Sequence, residues 1–240
     1  MSQLDRVLKN QLLSTLLVST YQRLLPHLEQ VNLTSGEVVH QPNETITEVY
    51  FPQSAVFSLV VVMSDRATSE ISLVGNEGVV SLPAILGSDS FATKSVVQVS
   101  GTALKLSADV VRQEFQKGED LQWSVLLYTR TYLAHVSQIA ACSSLHHIEQ
   151  RLARSLLLAN DCIGKDTLPL TQKSLSLMLG VRRASVTETA ISLQKRNVIQ
   201  YTRGRIKIIN RPALEAIACE CYSKIKSQYE YLSNTKLSYK

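Results

Sequence analysis

The sequence is poor in the features that mark membrane and secreted proteins. It contains no uncharged apolar run of about 18 residues, the length that a membrane-spanning helix needs. Its N-terminus includes Asp5 among the early charges and continues as an amphipathic stretch, unlike a secretory signal peptide. We therefore expect a cytoplasmic protein that has no membrane partner.

Cysteine is scarce, and its spacing matches no common ligand pattern. The four cysteines include no CxxC pair, which argues against a disulfide scaffold and against a zinc or iron-sulfur ligand set. We expect reduced thiols, with Cys219 and Cys221 serving as small apolar residues beside a late helix; a redox pair is the less favoured alternative. No metal site is predicted.

Catalytic signatures are missing as well. The sequence has no GxSxG, HExxH, GxGxxG or P-loop pattern. A cupin-like enzyme would need clustered His and carboxylate ligands in its strands, and His40 is the one histidine in the β-rich part of the chain. The chain is not expected to be an enzyme, and a cupin-like enzyme is kept as a remote alternative.

The 240 residues instead show a clear change of pattern along the chain. Residues 3–30 have a helical pattern that ends near Pro26. Short β-rich runs separated by turn residues follow from 31 to about 108, and their regular spacing predicts an antiparallel roll of the jelly-roll type. The chain is therefore predicted to be an α+β protein.

A helical pattern without Pro or Gly occupies the interval between Gly118 and Gly164. It predicts one long helix and then a second that starts between Leu145 and Ile148. One apolar face of the long helix suits a protein core, and its residues are Leu121, Val125, Tyr128, Tyr132 and Ile139. The other face is predicted to contact a partner helix through Leu126, Leu133, Val136 and Ala140.

Positive charge is concentrated near the C-terminus. Residues 171–211 hold nine basic residues and one acid, Glu188, so the net charge of this segment is +8. The net charge of the whole chain is +5, so the remaining residues together carry −3. A basic block within a periodic, folded-looking segment indicates a surface that binds a polyanion.

The stretch LTQKSLSLMLGVRRASVTETAISLQK, residues 170–195, predicts two short helices on either side of Gly180. Thr171 is the predicted N-cap of the first helix. The apolar residues predicted to face the core are Leu175, Met178 and Leu179 in the first helix and Val186, Ala190 and Leu193 in the second.

The second helix, residues 182–195, then exposes the face at its N-terminus, where Arg182 and Arg183 lie. This is the geometry of a recognition helix whose first turns enter the DNA major groove. Arginines there can reach guanine O6 and N7 and the flanking phosphates. The alternative, solvated charges on an amphipathic hairpin, does not account for the cap, the glycine and the basic block together.

Downstream, the run NVIQYTRGRIKIIN predicts a β-hairpin with Arg203 and Arg205 at its tip, which completes a winged helix-turn-helix. The tip arginines are predicted to contact phosphates. A final helix is predicted over 212–232, with Pro212 in its first turn.

These residues resemble the Crp/Fnr superfamily of bacterial transcription regulators over essentially the whole chain. The stretches that carry the resemblance are LGVRRASVT and ACECY near the C-terminus and VYFPQSAVFSLV and GNEGVVSLPAILG in the roll. The resemblance implies a cyclic-nucleotide-binding-like roll over 1–118, a long dimerisation helix over 119–147 and a winged helix-turn-helix domain over 148–240. It also implies three partners: double-stranded DNA, a second copy of the chain and RNA polymerase.

The resemblance assigns roles to individual residues. The residues expected to read bases are Arg183, Ala184, Thr187 and Glu188. The residues expected to contact the DNA backbone are Thr171, Gln172, Lys173, Arg182, Ser185, Arg203 and Arg205. Ala184 and Glu188 differ from the acid and the arginine that the best-known members have there, so the operator of those members is not expected to be the target.

The effector pocket implied by the resemblance lies at Leu82, Pro83, Lys94 and Ser95. Members that bind cyclic AMP have a Gly-Glu pair and an Arg-Ser pair at these places, so cyclic AMP is not expected here. Haem and an iron-sulfur cluster are not expected either. His146 and His147, at the start of the C-terminal domain, leave open a pH or metal switch, although an exposed or capping role is favoured.

Two functions from different classes therefore remain. The favoured hypothesis is a homodimeric, sequence-specific regulator that an unidentified effector in the roll controls. The alternative is a non-specific, architectural DNA-binding protein, whose binding would fall with salt alike at every DNA sequence.

Overall fold

A β-roll, a long helix and a smaller mixed domain follow one another in the computed structural model, which describes residues 9–65 and 67–235. The strands are β1 (Glu29–Leu33), β2 (Val38–His40), β3 (Glu48–Pro52), β4 (Val56–Val62), β5 (Thr68–Val74), β6 (Thr93–Val99), β7 (Gly101–Ser107), β8 (Thr167–Leu168), β9 (Ile199–Thr202) and β10 (Arg205–Ile208). The α-helices are α1 (Gln11–Ser14), α2 (Val18–Leu24), α3 (Leu82–Ile85), α4 (Ala108–Gln116), α5 (Asp120–Leu145), α6 (Ile148–Ile163), α7 (Gln172–Leu179), α8 (Arg183–Lys195), α9 (Arg211–Ile217) and α10 (Cys221–Asn234).

The roll consists of two antiparallel sheets that face each other. One sheet has the strand order β2-β6-β4-β5 and the other the order β1-β7-β3. Alternate residues of both sheets point inward, and the shared core includes Phe57, Val97 and Ala103. The β4–β5 pairing shifts register between Leu59 and Val60, as a bulge does where a sheet bends. The predicted antiparallel roll is confirmed.

The long helix α5 closes one end of the roll. Leu121, Val125 and Tyr128 are almost completely buried in a core that also contains Phe51 and Leu104 from the roll strands. Burial of apolar side chains is the main favourable contribution to such packing.

None of the helices that the structure describes has both the length and the apolar character that crossing a membrane requires.

The C-terminal domain packs around its own core and also touches the roll. Helices α6 to α9 enclose a cluster that includes Leu156, Leu175, Leu193 and Ile206. The small sheet has the order β8-β10-β9; its strand β8 was not predicted because two residues are too short for a periodic signal. Helix α7 rests against β5, whose Leu73 joins the core of this domain.

The prediction of one final helix over 212–232 is wrong. The chain forms α9 and α10, with Pro212 in the first turn of α9 as expected. Between them Ala218 has an extended backbone, with ψ of 149°. This break lets α10 turn back onto α5, where the Tyr229 hydroxyl lies 3.0 Å from Nδ1 of His135. Contacts with a distant helix therefore override a local pattern that favours one continuous helix.

The N-terminal helical prediction over 3–30 is also too simple, and residues 3–8 lie outside the described ones. The rest divides into α1, α2 and a 3-10 turn over Leu25–His27 that contains Pro26, and β1 already begins at Glu29. Leu17 breaks the first two helices apart with an extended backbone. The long helical interval, in contrast, divides as predicted, with α5 ending at Leu145 and α6 starting at Ile148.

The carboxylate of Asp120 joins the start of α5 to the N-terminal helices. It is fully buried and accepts hydrogen bonds from the Leu17 amide and the Thr20 hydroxyl, both at 2.5 Å. The carboxylate therefore caps the N-terminus of α2, although it belongs to a different helix. Its negative charge is favourable at the positive end of the dipole of α2.

Replacing Asp120 by Asn should therefore destabilise the protein by about 1–3 kcal/mol, the usual cost of disturbing a charge-assisted hydrogen bond inside a protein. The measurement is urea unfolding followed by circular dichroism, with a lower midpoint and an unchanged slope expected. Asp109→Asn is the matched control, because Asp109 is also in the first turn of a helix but its side chain is 80% exposed. Equal effects of the two substitutions would contradict this role of Asp120.

Candidate nucleic-acid interface

Helices α7 and α8 form a pair joined by a tight turn at Gly180. Thr171 caps α7, with its Oγ1 accepting from the Ser174 amide at 3.0 Å, and Ser174 Oγ accepts from the Thr171 amide at 2.7 Å. The chain leaves α7 through Gly180, whose left-handed backbone has φ of +60°. The predicted N-cap and hinge glycine are both confirmed.

The helix pair is held together by the predicted apolar stripes. Leu175, Leu179, Val186, Ala190 and Leu193 are each at most 3% exposed. Met178 is half-buried and packs against the same core. Since this packing fixes which face of α8 points inward, it also fixes which face remains outside.

The outer face of α8 presents its N-terminal residues to solvent. Arg182, Arg183, Ala184 and Glu188 are exposed, while Ser185 and Thr187 are half-buried. Thr187 Oγ1 donates to the Arg183 carbonyl at 2.9 Å, inside the helix itself. The helix begins one residue later than predicted, with Arg182 at the N-cap and Arg183 as its first residue.

The first turn of α8 also carries no competing negative charge. It contains no acidic residue, and the Arg182 side chain makes no capping hydrogen bond. Such a helix terminus has a partial positive charge and backbone amides that attract phosphate oxygens.

Most of the basic block has no anionic partner. Of the nine basic residues between 171 and 211, two form ion pairs within the described chain: Arg196 with Glu149, and Arg211 with Asp161 and Glu215. No ion pair among the described residues involves the other seven, which are Lys173, Arg182, Arg183, Lys195, Arg203, Arg205 and Lys207. All seven are exposed.

The wing comes next to the start of α7. Strands β9 and β10 pair in register, with Thr202 opposite Arg205, and Arg203 and Gly204 form the turn. A side-chain carbon built on Gly204 would lie 3.7 Å from the methyl group of Thr171. The predicted hairpin is confirmed, and the fold brings its basic tip beside the residues expected to contact the DNA backbone at Thr171, Gln172 and Lys173.

Two residues that the sequence did not single out hold this surface in place. Arg151 of α6 donates from Nη2 to the carbonyl of Leu179, the last residue of α7. The last carbonyl groups of a helix generally need partners from outside it. Glu149, also in α6, pairs with Arg196 just after α8. A spacing pattern does not reveal these contacts because each joins residues about 30 to 50 positions apart.

Residues 150–217 match the model of the Crp-like helix-turn-helix domain. The C-terminal domain is a Crp-like helix-turn-helix domain. Over most of the described chain, the fold is that of the Crp/Fnr transcriptional regulators. No curated protein matches the chain in sequence.

Solved structures with this fold are similar over most of their length. A transcriptional regulator of the Crp/Fnr family from Eubacterium rectale is 16% identical, with 86% of this chain and 96% of that chain covered and a TM-score of 0.70. The c-di-GMP responsive global regulator CLP of Xanthomonas campestris is 14% identical, with 79% and 98% covered and a TM-score of 0.68. FixK2 from Bradyrhizobium japonicum is also 14% identical, with 80% and 98% covered and a TM-score of 0.68.

A cavity of about 290 Å³ lies between α5 and the roll that precedes the Crp-like domain. Its size is near the lower end of the range for small-molecule sites, which begins at about 300 Å³. Leu82, Pro83 and Ser95 line it, together with Tyr128 and Tyr132 of α5. Lys94 does not line it, although the resemblance placed it there. Side chains alternate along a strand, so Lys94 points away from the face that its two neighbours share.

Two polar atoms inside this cavity have no partner among the described residues. They are Nε2 of His40 and the hydroxyl of Ser81. Burial lowers the pKa of His40, which favours a neutral imidazole. The described lining includes neither a carboxylate nor a guanidinium group, so it lacks the pair of groups that a cyclic nucleotide needs for its ribose and phosphate.

The outer face of α5, ahead of the Crp-like domain, carries apolar side chains that the described part of the chain leaves largely exposed. Leu126 is 47% and Leu133 57% exposed, Ala140 is exposed and Val136 is half-buried. From Leu126 to Ala140, at about 1.5 Å of rise per residue, these side chains form an apolar stripe about 21 Å long that faces solvent.

Proposed function

We propose that the protein is a cytoplasmic, homodimeric transcription regulator that binds double-stranded DNA sequence-specifically. The observation that carries this proposal is the uncompensated basic surface formed by the N-terminus of α8, the start of α7 and the wing. Buried packing gives this surface one fixed shape, and the lack of ion pairs within the described chain leaves its arginines available to phosphates and bases.

In this proposal, Arg183 reads base edges, together with Ala184, Thr187 and Glu188 beside it on α8. Its place in the first turn of the exposed helix suits bidentate hydrogen bonds to guanine O6 and N7. Residues at the periphery contact phosphates and set the register; they are Thr171, Gln172, Lys173, Arg182, Ser185, Arg203 and Arg205. RNA polymerase is proposed as a protein partner on the basis of the shared fold alone.

The second copy of the chain is proposed to cover the apolar stripe on α5. Exposed Leu126 and Leu133 lie seven residues apart, the repeat at which two helices can pack side by side. Dimerisation through α5 would present two recognition helices to successive turns of the major groove, about 34 Å apart.

We propose further that the roll senses a small, mainly apolar molecule instead of catalysing a reaction. The cavity offers an apolar lining and two unpartnered polar atoms, which suit a ligand with one or two hydrogen-bonding groups. Tyr128 and Tyr132 connect such a ligand directly to the long helix. In the described chain, grouped metal ligands lie at the end of α5, away from the roll strands in which a cupin-like enzyme would hold them.

Arg183→Ala should remove sequence preference while leaving the fold intact. We expect the preference for a site selected from a random DNA library to fall by about 1–3 kcal/mol, the discrimination that one bidentate contact provides. The measurement is a gel-shift titration of the selected site against random duplex.

Arg203→Ala is the matched control for Arg183→Ala. It should weaken both complexes alike and reduce the slope of log affinity against log salt by about one, because one phosphate is no longer neutralised. Equal binding of every duplex by the wild-type protein would favour the architectural alternative.

Leu133→Arg should dissociate the dimer. A charge in the middle of the apolar stripe should weaken the association by about 2 kcal/mol or more, and DNA binding should fall with it. Analytical ultracentrifugation gives the association constant. Met63→Arg, the control, makes the same change at a residue that is 58% exposed, against 57% for Leu133, on a loop of the roll. A stable Leu133→Arg dimer would show that another surface joins the subunits.

Thr93→Leu should fill the roll cavity and prevent ligand binding. A compound from a small-molecule screen that raises the melting temperature of the wild-type protein should lose its effect on this variant, because stabilisation requires binding to the folded state. Lys94→Leu, on the opposite face of the same strand, is the control and should respond as the wild type does. Loss of the response in Lys94→Leu alone would place the effector outside this cavity.

A further inference from the structure

Three thiols and one imidazole meet where the long helix joins the Crp-like domain. They belong to Cys142, His146, Cys219 and Cys221, and their ligand atoms all lie within 4.8 Å of one another. We propose that these four residues bind a single zinc-type divalent metal ion in a tetrahedral Cys3His site. A closed set of four N and S ligands is the arrangement of structural zinc sites.

Two distances within the cluster are close to those that one ion requires. Zinc binds thiolate sulfur at about 2.3 Å and imidazole nitrogen at about 2.0–2.1 Å, so tetrahedral ligands are about 3.8 Å apart for two sulfurs and 3.6 Å for sulfur and nitrogen. The Sγ atoms of Cys142 and Cys219 are 3.5 Å apart. Sγ of Cys221 and Nδ1 of His146 are 3.6 Å apart.

Two separate parts of the chain supply the ligands. Cys142 and His146 are four residues apart, at the last turn and C-cap of α5, and share one face of that helix. Cys219 and Cys221 flank Glu220 at the break between α9 and α10. The expectation of no zinc set came from spacing along the sequence, whereas residues 75 or more positions apart meet only in the fold.

A second group of side chains orients the ligands. Oε2 of Glu220 lies 3.2 Å from Nε2 of His146, so the carboxylate can accept a hydrogen bond from that nitrogen. The lone pair of Nδ1, on the side of Cys221, is then available to bind a metal ion. Metal-binding histidines usually have such a carboxylate partner. The amide of Gln138 donates to Sγ of Cys221 at 3.1 Å. His147, in contrast, is exposed at the N-cap of α6, the capping position that the sequence favoured.

A buried positive charge beside the cluster calls for a negative partner. Arg154 is 2% exposed, and its Nε and Nη1 atoms have no hydrogen-bond partner among the described residues. Arg154 interacts electrostatically with Cys142, and Arg151 with Cys142 and Cys219. Three thiolates with one divalent ion have a net charge of −1, which would compensate a guanidinium group that is costly to bury alone.

A thiol switch explains the cluster less well. Cys142, Cys219 and Cys221 are each at most 4% exposed, so an oxidant has little access to their sulfur atoms. A polynuclear iron-sulfur cluster spreads its ligands over several irons, whereas these four ligand atoms converge on the space of one ion.

The site would fasten the DNA-binding domain to the long helix. His146 and His147 form the link between α5 and α6, and the metal would join the end of α5 to the segment that follows α9. A bound ion would therefore restrict rotation of the Crp-like domain about this link. This consequence rests on the proposed function, whereas metal binding itself does not.

Cobalt titration of the reduced wild-type chain tests the site without any substitution. We expect one Co²⁺ per chain, with the thiolate-to-cobalt absorption and the intense visible bands of a tetrahedral ion, and displacement of Co²⁺ by Zn²⁺. Binding should release up to three protons, one from each thiol, and tighten as the pH rises. Absence of thiolate-to-cobalt absorption in the reduced protein would overturn the proposal.

Variants locate the ligands. Glu220→Gln should weaken Co²⁺ binding by about 10- to 100-fold, the usual effect of losing a group that orients a ligand. Cys219→Ser removes a ligand itself and should weaken Co²⁺ binding by about 100-fold or more. Cys162→Ser is the control, since Cys162 at the end of α6 is outside the cluster. Equal loss in Cys162→Ser, or a metal-free Cys142–Cys219 disulfide in freshly purified protein, would also refute the site.

DNA binding is measured separately on the same samples. Removal of zinc by a chelator should weaken binding to the selected DNA site, and added zinc should restore it. Metal binding without any effect on DNA would retain the site and reject its coupling to the Crp-like domain. Failure of both the metal-loaded and the metal-free protein to prefer any DNA sequence would instead reject the proposed function.

Discussion

The structure depends on the division of helix α5 into a buried and an uncovered face. Leu121, Val125 and Tyr128 anchor the helix in the roll, and the opposite side keeps Leu126 and Leu133 in solvent. A helix with apolar residues on both sides satisfies one face within its own chain and needs a partner for the other. The same element therefore shapes the roll cavity, offers the proposed dimer surface and ends at the cysteine cluster.

The basic side chains between residues 171 and 211 are likewise divided into a paired and an unpaired group. Arg196 and Arg211 are used inside the domain, where Glu149 and Asp161 hold them. The remaining basic side chains between 171 and 211 have no acid within the described chain to compensate them. Their mutual repulsion costs stability in the free protein, and a polyanion would relieve it.

The proposed effector cavity faces the first half of α5, and the proposed metal site lies at the C-terminal end of the helix. Tyr128 faces the cavity, and Cys142 and His146 belong to the last turns of the helix. A rigid helix of this length can transmit a change in its packing along its axis. Coupling between the two sites requires that α5 has two alternative packing arrangements and that both ligands favour the same one. The link at His146 and His147 is the place where such a change would alter the position of the Crp-like domain.

The sequence by itself determined the local elements: the capped helix pair around Gly180, the wing, the antiparallel roll and the long helix. Their signals are periodicity, capping and turn chemistry, which act over a few residues. Tertiary structure alone decided the break at Ala218, the turning of Lys94 away from the cavity, the support of α7 by Arg151 and the meeting of Cys142 with Cys219. Each depends on which distant segments pack together, and that choice is made by the burial of the whole chain, which no short pattern records.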